Sequence, residues 1–215
     1  MPFQEKEVTY TSTNTYLTLN TLSDNTKNVW IVLHGIGFLS RYFINYFKGL
    51  PENENYIIAP QAPSKYYLGN NYKHVGASWL TKEKTTLETG NVLRYLDQVL
   101  INEQVPEDCR LIVLGFSQGV SVATRWVAKS KIPCNELILY AGGIPAELSP
   151  EDFEFLMPSN PEIKIVVGDS DQFLSPERMA KEHLRIESLF KGKAKLVPFE
   201  GGHEVKRTVI NQLIQ

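Results

Sequence analysis

The sequence predicts an α/β fold, with a mostly parallel central sheet and helices on both faces. Two patterns predict it. From Val29 onward, short apolar runs alternate with stretches of helical apolar spacing. The runs are continuously apolar rather than alternating, as strands covered on both faces require. A third observation adds chemistry. Several runs end in a glycine-bearing turn that carries serine, aspartate or histidine, and open α/β sheets place their sites beyond the carboxyl ends of strands. One domain over residues 1–215 is expected, since this length buries a full core and no repeat, linker or lid-sized insertion interrupts it.

Composition narrows the partners. Hydrophobic residues make up 42% and charged residues 21%, ordinary for a globular chain. A net charge of −2 gives no basic field for nucleic acid or an anionic membrane. No apolar run approaches the roughly 18 residues of a membrane span, so no integral membrane association is expected. The opening M-P-F-Q-E-K-E-V lacks the basic and apolar regions of a signal peptide. The expected compartment is the cytoplasm. Cys109 and Cys134 stand in no metal-ligand spacing and are expected to be free thiols.

Taken in order, residues 8–19 are rich in threonine and tyrosine and read as one or two edge strands. Residues 23–28 form a polar turn. The run 29–33 reads as a buried strand and ends in His34-Gly35-Ile36-Gly37, where backbone can approach a substrate closely. The Ile36 N–H is a candidate oxyanion donor, while His34 is expected to shape the loop by hydrogen bonding. Residues 41–50 predict a short amphipathic helix, and 56–59 a buried strand. Residues 60–80 read as a long irregular loop rich in aromatics, expected to wall a substrate cleft. Val92, Leu93, Leu96, Val99 and Leu100 mark an amphipathic helix over 84–102.

The stretch 111–119, L-I-V-L-G-F-S-Q-G, organises the chain. Its apolar run ends at Gly115, and Val120, Ala123 and Val127 then follow helical spacing. Ser117 therefore sits on a strand–turn–helix elbow, the context a serine nucleophile needs. The Gln118 N–H lies at the helix start, aimed where an oxyanion would form. A strand over 136–140 leads to Ala141-Gly142-Gly143-Ile144-Pro145. Ser149-Pro150 caps a short helix. A strand over 163–167 leads to Gly168-Asp169-Ser170-Asp171. Ser175-Pro176 starts a helix whose stripe is Met179, His183, Ile186 and Phe190, with His183 read as a half-buried packing residue. The last strand, 195–199, is followed by Gly201-Gly202-His203, and Val205, Val209 and Leu213 mark a closing helix.

Ser117, one of Asp169 and Asp171, and His203 thus each follow a strand end, in the chain order Ser…Asp…His. A serine hydroxyl needs a base, and imidazole accepts a proton near neutrality and returns it to a leaving group. A carboxylate fixes the imidazole tautomer.

The chain resembles the phospholipase/carboxylesterase family of α/β-hydrolases, which includes the acyl-protein thioesterases. The matching pieces are L-H-G-I-G (33–37), A-P-Q-A-P (59–63), S-W (78–79), G-F-S-Q-G (115–119), A-G-G-I-P (141–145), V-G-D-S-D (167–171) and G-G-H (201–203). The resemblance implies an α/β-hydrolase fold and an esterase or thioesterase without cofactor or metal. It puts the acid on Asp171, because the family's acid motif resembles H-G-x-x-D and Gly168 to Asp171 fits it. Phe38 stands where the family usually has aspartate, and Leu80-Thr81 where it often has phenylalanine and aspartate. Both changes fall at the expected cleft.

The leading expectation is a serine hydrolase of small-molecule carboxylic esters or thioesters. Ser117, Asp171 and His203 would carry the catalysis, and the Ile36 and Gln118 N–H groups would bind the oxyanion. Phe38, Leu39, Tyr66, Tyr67, Leu68 and Trp79 are the expected substrate walls. Two other readings share the fold: a catalytically silent hydrolase used for binding, and peptide or lactone cleavage on the same three residues.

Overall fold

The structure is a computed structural model that describes residues 3–173 and 176–214. In chain order its elements are β1 (Tyr16–Leu19), β2 (Asn28–Leu33), α1 (Ser40–Phe43), β3 (Asn55–Pro60), β4 (Ser64–Leu68), β5 (His74–Ser78) and α2 (Thr85–Glu103). They continue with β6 (Arg110–Phe116), α3 (Gln118–Lys129), β7 (Glu136–Tyr140), β8 (Glu162–Gly168), α4 (Pro176–Leu189), β9 (Ala194–Phe199) and α5 (Arg207–Gln212). Seven strands form one sheet in the order β1-β3-β2-β6-β7-β8-β9. Only β1 runs antiparallel, against β3; the other pairings are parallel. This is the expected α/β-hydrolase architecture.

Register decides where the chemistry can sit. Leu33 pairs with Gly115, Phe116 with Tyr140, and Gly168 with Phe199. The turns after β2, β6, β7, β8 and β9 therefore leave the sheet along one edge, at its carboxyl end.

Successive strand residues go to opposite faces, because strand side chains alternate. Val29, Ile31 and Leu33 join a core layer with Leu111, Val113, Leu137 and Leu139, covered by α2, α3 and α4. Trp30, Val32, Ile112, Leu114 and Tyr140 form the other layer, covered by α1 and α5. That two-sided burial is why the runs read as continuously apolar. At the opposite, amino end of the strands, buried Glu136 lies 2.7 Å from Lys164 Nζ and 3.3 Å from Arg110 Nη2. Burial pushes this carboxyl upward, and Lys164 opposes that shift.

Several expectations change. Residues 60–80 contain an antiparallel hairpin, with β4 and β5 paired from Ser64–Ser78 to Leu68–His74. Residues 41–50 divide into α1 and a 3-10 turn, Ile44–Phe47. Of residues 8–19, only β1 is strand. Ser149 and Asp152 close a capping box, as Ser149-Pro150 suggested, but on a 3-10 segment, Pro150–Ser159. α4 begins at Pro176, and Ser175 lies outside the described residues. His183 is exposed rather than half-buried, because the helix turns it to solvent. Cys109 and Cys134 are both buried and free. They flank the paired strands β6 and β7, but the Cys109 thiol donates to the Thr26 carbonyl, 3.2 Å away.

The tightest packing lies where α3 folds back on β6. A Cβ on Gly119 would stand 2.0 Å from the Leu33 carbonyl oxygen, and one on Gly115 would stand 2.3 Å from the Gly119 oxygen. Backbone meets backbone there, so nothing flexible can yield. Gly119→Ala should therefore destabilise by about 3 kcal/mol, lowering Tm by about 10 °C. Gly90→Ala, in α2 with its nearest neighbour the Arg94 guanidinium at 3.5 Å, should raise Tm slightly through better helix propensity. Thermal denaturation of both variants checks this; equal shifts would contradict it.

Candidate active site

The turn between β6 and α3 puts Ser117 at φ 53° and ψ −116°. An L-residue holds such a backbone only when its surroundings over-determine it. Here the Ser117 N–H donates to the Tyr140 carbonyl at 2.9 Å, and the Ser117 carbonyl accepts from Val120 N–H at 3.1 Å. The hydroxyl is turned out of the sheet. Its Oγ lies 2.9 Å from His203 Nε2, and His203 Nδ1 lies 2.8 Å from Asp171 Oδ2. With the Nδ1 proton donated to Asp171, Nε2 is free to accept the serine proton.

Each partner is fixed in turn. The Asp171 side chain is fully buried, and its Oδ1 accepts from Phe173 N–H at 2.9 Å. The imidazole lies between the rings of Phe116 and Phe173, at 5.3 and 4.8 Å. Asp169 does something else. It is exposed, and its Oδ1 accepts from Gly201 N–H at 3.1 Å and Ser170 Oγ–H at 2.9 Å. Those donors, Gly201 first, hold its carboxyl below the usual range. Asp169 thus fastens the histidine loop, while Asp171 touches the histidine.

The turn after β2 lies against this group. A Cβ on Gly35 would stand 3.1 Å from Ser117 Cβ. Neither the Ile36 N–H nor the Gln118 N–H has a protein acceptor among the described residues. The β4–β5 hairpin pins the turn: Gly37 N–H donates to the Ala77 carbonyl at 2.8 Å, and Ala77 N–H to the Phe38 carbonyl at 3.2 Å. Gln118 contributes more than its backbone. Its Oε1 accepts from Trp79 N–H at 2.8 Å, and its Nε2 donates to the Leu80 carbonyl at 2.6 Å. The side chain so ties the elbow to the end of the hairpin, a role that nothing in the local sequence signals.

His34 is fully buried. Its Nδ1–H donates to the Gly35 carbonyl at 2.8 Å, and its Nε2 accepts from Ala62 N–H at 3.2 Å. It shapes the loop, as expected, and is not within the Ser117 group.

Two cavities flank the turn, and Ile36 and Phe38 line both. The one over Ser117 and His203 has a volume of about 650 Å³. Its far wall is Ser121 and Arg125 of α3, Gly142 to Pro145, Phe173, and Glu182 of α4. The expected walls fall differently. Phe38 lines both cavities, and Leu68 lines only the second. Leu39 and Trp79 are core residues, 6% and 1% exposed, because the loop folds them inward. Tyr66 and Tyr67 are exposed on the hairpin and line neither cavity. Ser121 and Arg125 were open to notice: they follow Ser117 at intervals of four, one stripe of the helix. Phe173 and Glu182 carry no such signal. Among the described residues no group of three or more His, Cys, Asp or Glu side chains is arranged to hold a metal ion. Among the same residues no helix is long and apolar enough to cross a membrane.

Burial lowers the His34 pKa to about 4, although its bond to the Gly35 carbonyl works the other way. The unfolded chain then binds a proton near pH 6.5 that the native state refuses until about pH 4. Stability should fall across that window on acidification, by about 3 kcal/mol from this residue, and the contribution is fully present above it. NMR titration of the His34 ring should show no imidazolium at pH 5.5; a midpoint near 6.5 would contradict this.

A family model described as phospholipase/carboxylesterase matches residues 14–215. No curated protein matches the sequence. Among solved structures, acyl-protein thioesterase 2 of Zea mays superposes with TM-score 0.68 at 16% identity, covering 94% of this chain and 98% of that one. A phospholipase/carboxylesterase of Dyadobacter fermentans gives 0.64 at 19%, covering 96% of each chain. The carboxylesterase of Bacillus cereus gives 0.62 at 13%, covering 93% of this chain and 91% of that one. At these identities the structures share the fold, and the family match spans almost the whole sequence. The chain belongs to the phospholipase/carboxylesterase family of α/β-hydrolases.

Proposed function

We propose that this protein is a serine hydrolase that cleaves carboxylic esters or thioesters of small molecules through an acyl-enzyme on Ser117. The observation that carries the reading is the hydrogen-bonded series Ser117–His203–Asp171, opening into a cavity beside two N–H groups with no protein acceptor. The family's character and the names of the thioesterase and carboxylesterase neighbours support the ester class. The proposed compartment is the cytoplasm, a reading supported by two cysteines left as free thiols.

In the proposed mechanism His203 Nε2 takes the hydroxyl proton as Ser117 Oγ attacks the carbonyl carbon. The carbonyl oxygen gains negative charge, which the Ile36 and Gln118 N–H groups stabilise. The imidazolium is held by Asp171 and returns its proton to the departing alcohol or thiol. Water then attacks the acyl carbon as it loses a proton to His203, and His203 returns that proton to Ser117 Oγ as the C–Oγ bond breaks and the acid leaves. Asp171 does not move a proton; it keeps Nδ1 protonated so that Nε2 stays a base.

Ser117→Ala should lower turnover by about 10⁴–10⁶ with the fold intact. Asp171→Asn should lower it by about 10⁴, because the imidazole can then adopt the wrong tautomer. Asp169→Asn, which loosens only the loop, should cost less than about tenfold. Steady-state kinetics on a p-nitrophenyl ester ranks the three. Full activity in the serine variant, or Asp169→Asn as the more damaging of the aspartate changes, would overturn the assignment.

Substrate length should be limited. Each methylene that finds wall adds about 0.8 kcal/mol of binding. Phe38 packs against Phe43 and Phe116, with ring centres 6.2 and 5.8 Å away, and its ring lines both cavities. Across p-nitrophenyl esters from acetate to palmitate, kcat/KM should rise over the first few carbons and then level or fall. A steady rise through palmitate would contradict a small or medium acyl group.

A further inference from the structure

The second cavity, about 560 Å³, lies across the Ile36–Phe38 turn from His203. It does not contain the histidine. In the mechanism above, the leaving group must sit beside His203 Nε2 to receive its proton. That places the leaving group in the cavity over Ser117. The acyl chain is the other substituent of the carbonyl carbon, and its open direction is past Ile36 and Phe38.

The lining there is unlike an alkyl tunnel. Leu68 and Val75 supply apolar wall, but Arg41, Lys73 and His74 also line it, and among the described residues no carboxylate does. Neither Arg41 nor Lys73 has a carboxylate partner among the described residues. Arg41 instead packs its guanidinium over the Tyr42 ring, 4.9 Å from the centre, which orients it at the cavity edge. Two cations lining one partly apolar cavity, with no carboxylate beside them there, fit a short chain that ends in an anion.

We propose that the substrate's acyl chain enters this second cavity and ends in an anionic group, of the carboxylate class, held by Arg41 and Lys73. The substrate would then be a monoester or monothioester of a short dicarboxylic acid. This rests on the hydrolase reading given above and names the acyl group that reading leaves open. Arg41 and Lys73 would set specificity without touching the reacting atoms. A charge-assisted contact at a partly exposed site is enough for about tenfold discrimination.

The test compares two esters of one shape: p-nitrophenyl hydrogen adipate, with a free carboxylate, and p-nitrophenyl methyl adipate, with that charge capped. The wild-type protein should favour the acid by about tenfold in kcat/KM. The preference should shrink in 0.5 M salt as screening shortens to a few ångströms. In Arg41→Gln/Lys73→Gln the ratio of the two rates should fall about tenfold, toward one. A wild-type ratio at or below one, or a ratio unmoved in the double variant, would overturn the proposal while hydrolysis of the methyl ester upholds the hydrolase reading. Cleavage of neither ester would overturn both. A second pair, the acetates of 4-hydroxybenzoate and of its methyl ester, carries the charge on the leaving group. A preference for the anion there, and not in the adipates, would overturn the acyl assignment.

Discussion

The site depends on one backbone conformation, that of Ser117. At φ 53° and ψ −116° the chain leaves β6 and enters α3 within a single residue. Left alone, that geometry would cost on the order of 1–3 kcal/mol. It persists because α3 is pressed against the ends of β2 and β6, with Gly119 against the Leu33 carbonyl and Gly115 against Gly119. A side chain at either glycine would push the helix off, and the serine would lose its angle. Much of the carboxyl edge is built on this contact. The β2 turn packs on the elbow, and the Gln118 side chain draws the end of the β4–β5 hairpin onto it.

His34 holds the β2 turn by giving one proton to Gly35 and accepting from Ala62, so its burial as a neutral ring supports a loop of glycines that could not hold itself. Asp169 does the same for the histidine loop from outside. The buried charge cluster of Glu136, Lys164 and Arg110 lies at the other end of the strands. Its electrostatics are kept a strand's length from the imidazole, whose partner is a single buried carboxylate.

Much of this was legible in the sequence. The strands buried on both faces announced themselves as unbroken apolar runs, and Ser117, Asp171 and His203 could be placed at one end of the sheet because each follows such a run. Asp171 over Asp169 needed the family's motif, since both lie within three residues of the strand end. The hairpin at 64–78 was not legible. β4 is exposed along its whole length, so Ser64 to Leu68 lack the alternation that a half-buried strand would display. Four of the six expected walls, Leu39, Tyr66, Tyr67 and Trp79, line neither cavity for a related reason. Aromatic content says that a loop packs, not on which side, and Trp79 packs inward to give its indole N–H to the His34 carbonyl. The far wall of the cavity over Ser117 draws on α3, residues 142–145 and α4, which only the sheet order brings together.

The claim on which the rest turns is that Ser117 is a nucleophile activated by His203. A fluorophosphonate tests it most directly, because it modifies a serine only where a base and an oxyanion site act on it together. Intact-mass measurement followed by peptide mapping should find one equivalent of label on the peptide carrying Ser117, and none after His203→Ala. Labelling at another residue, or undiminished labelling of Ser117 without His203, would contradict it.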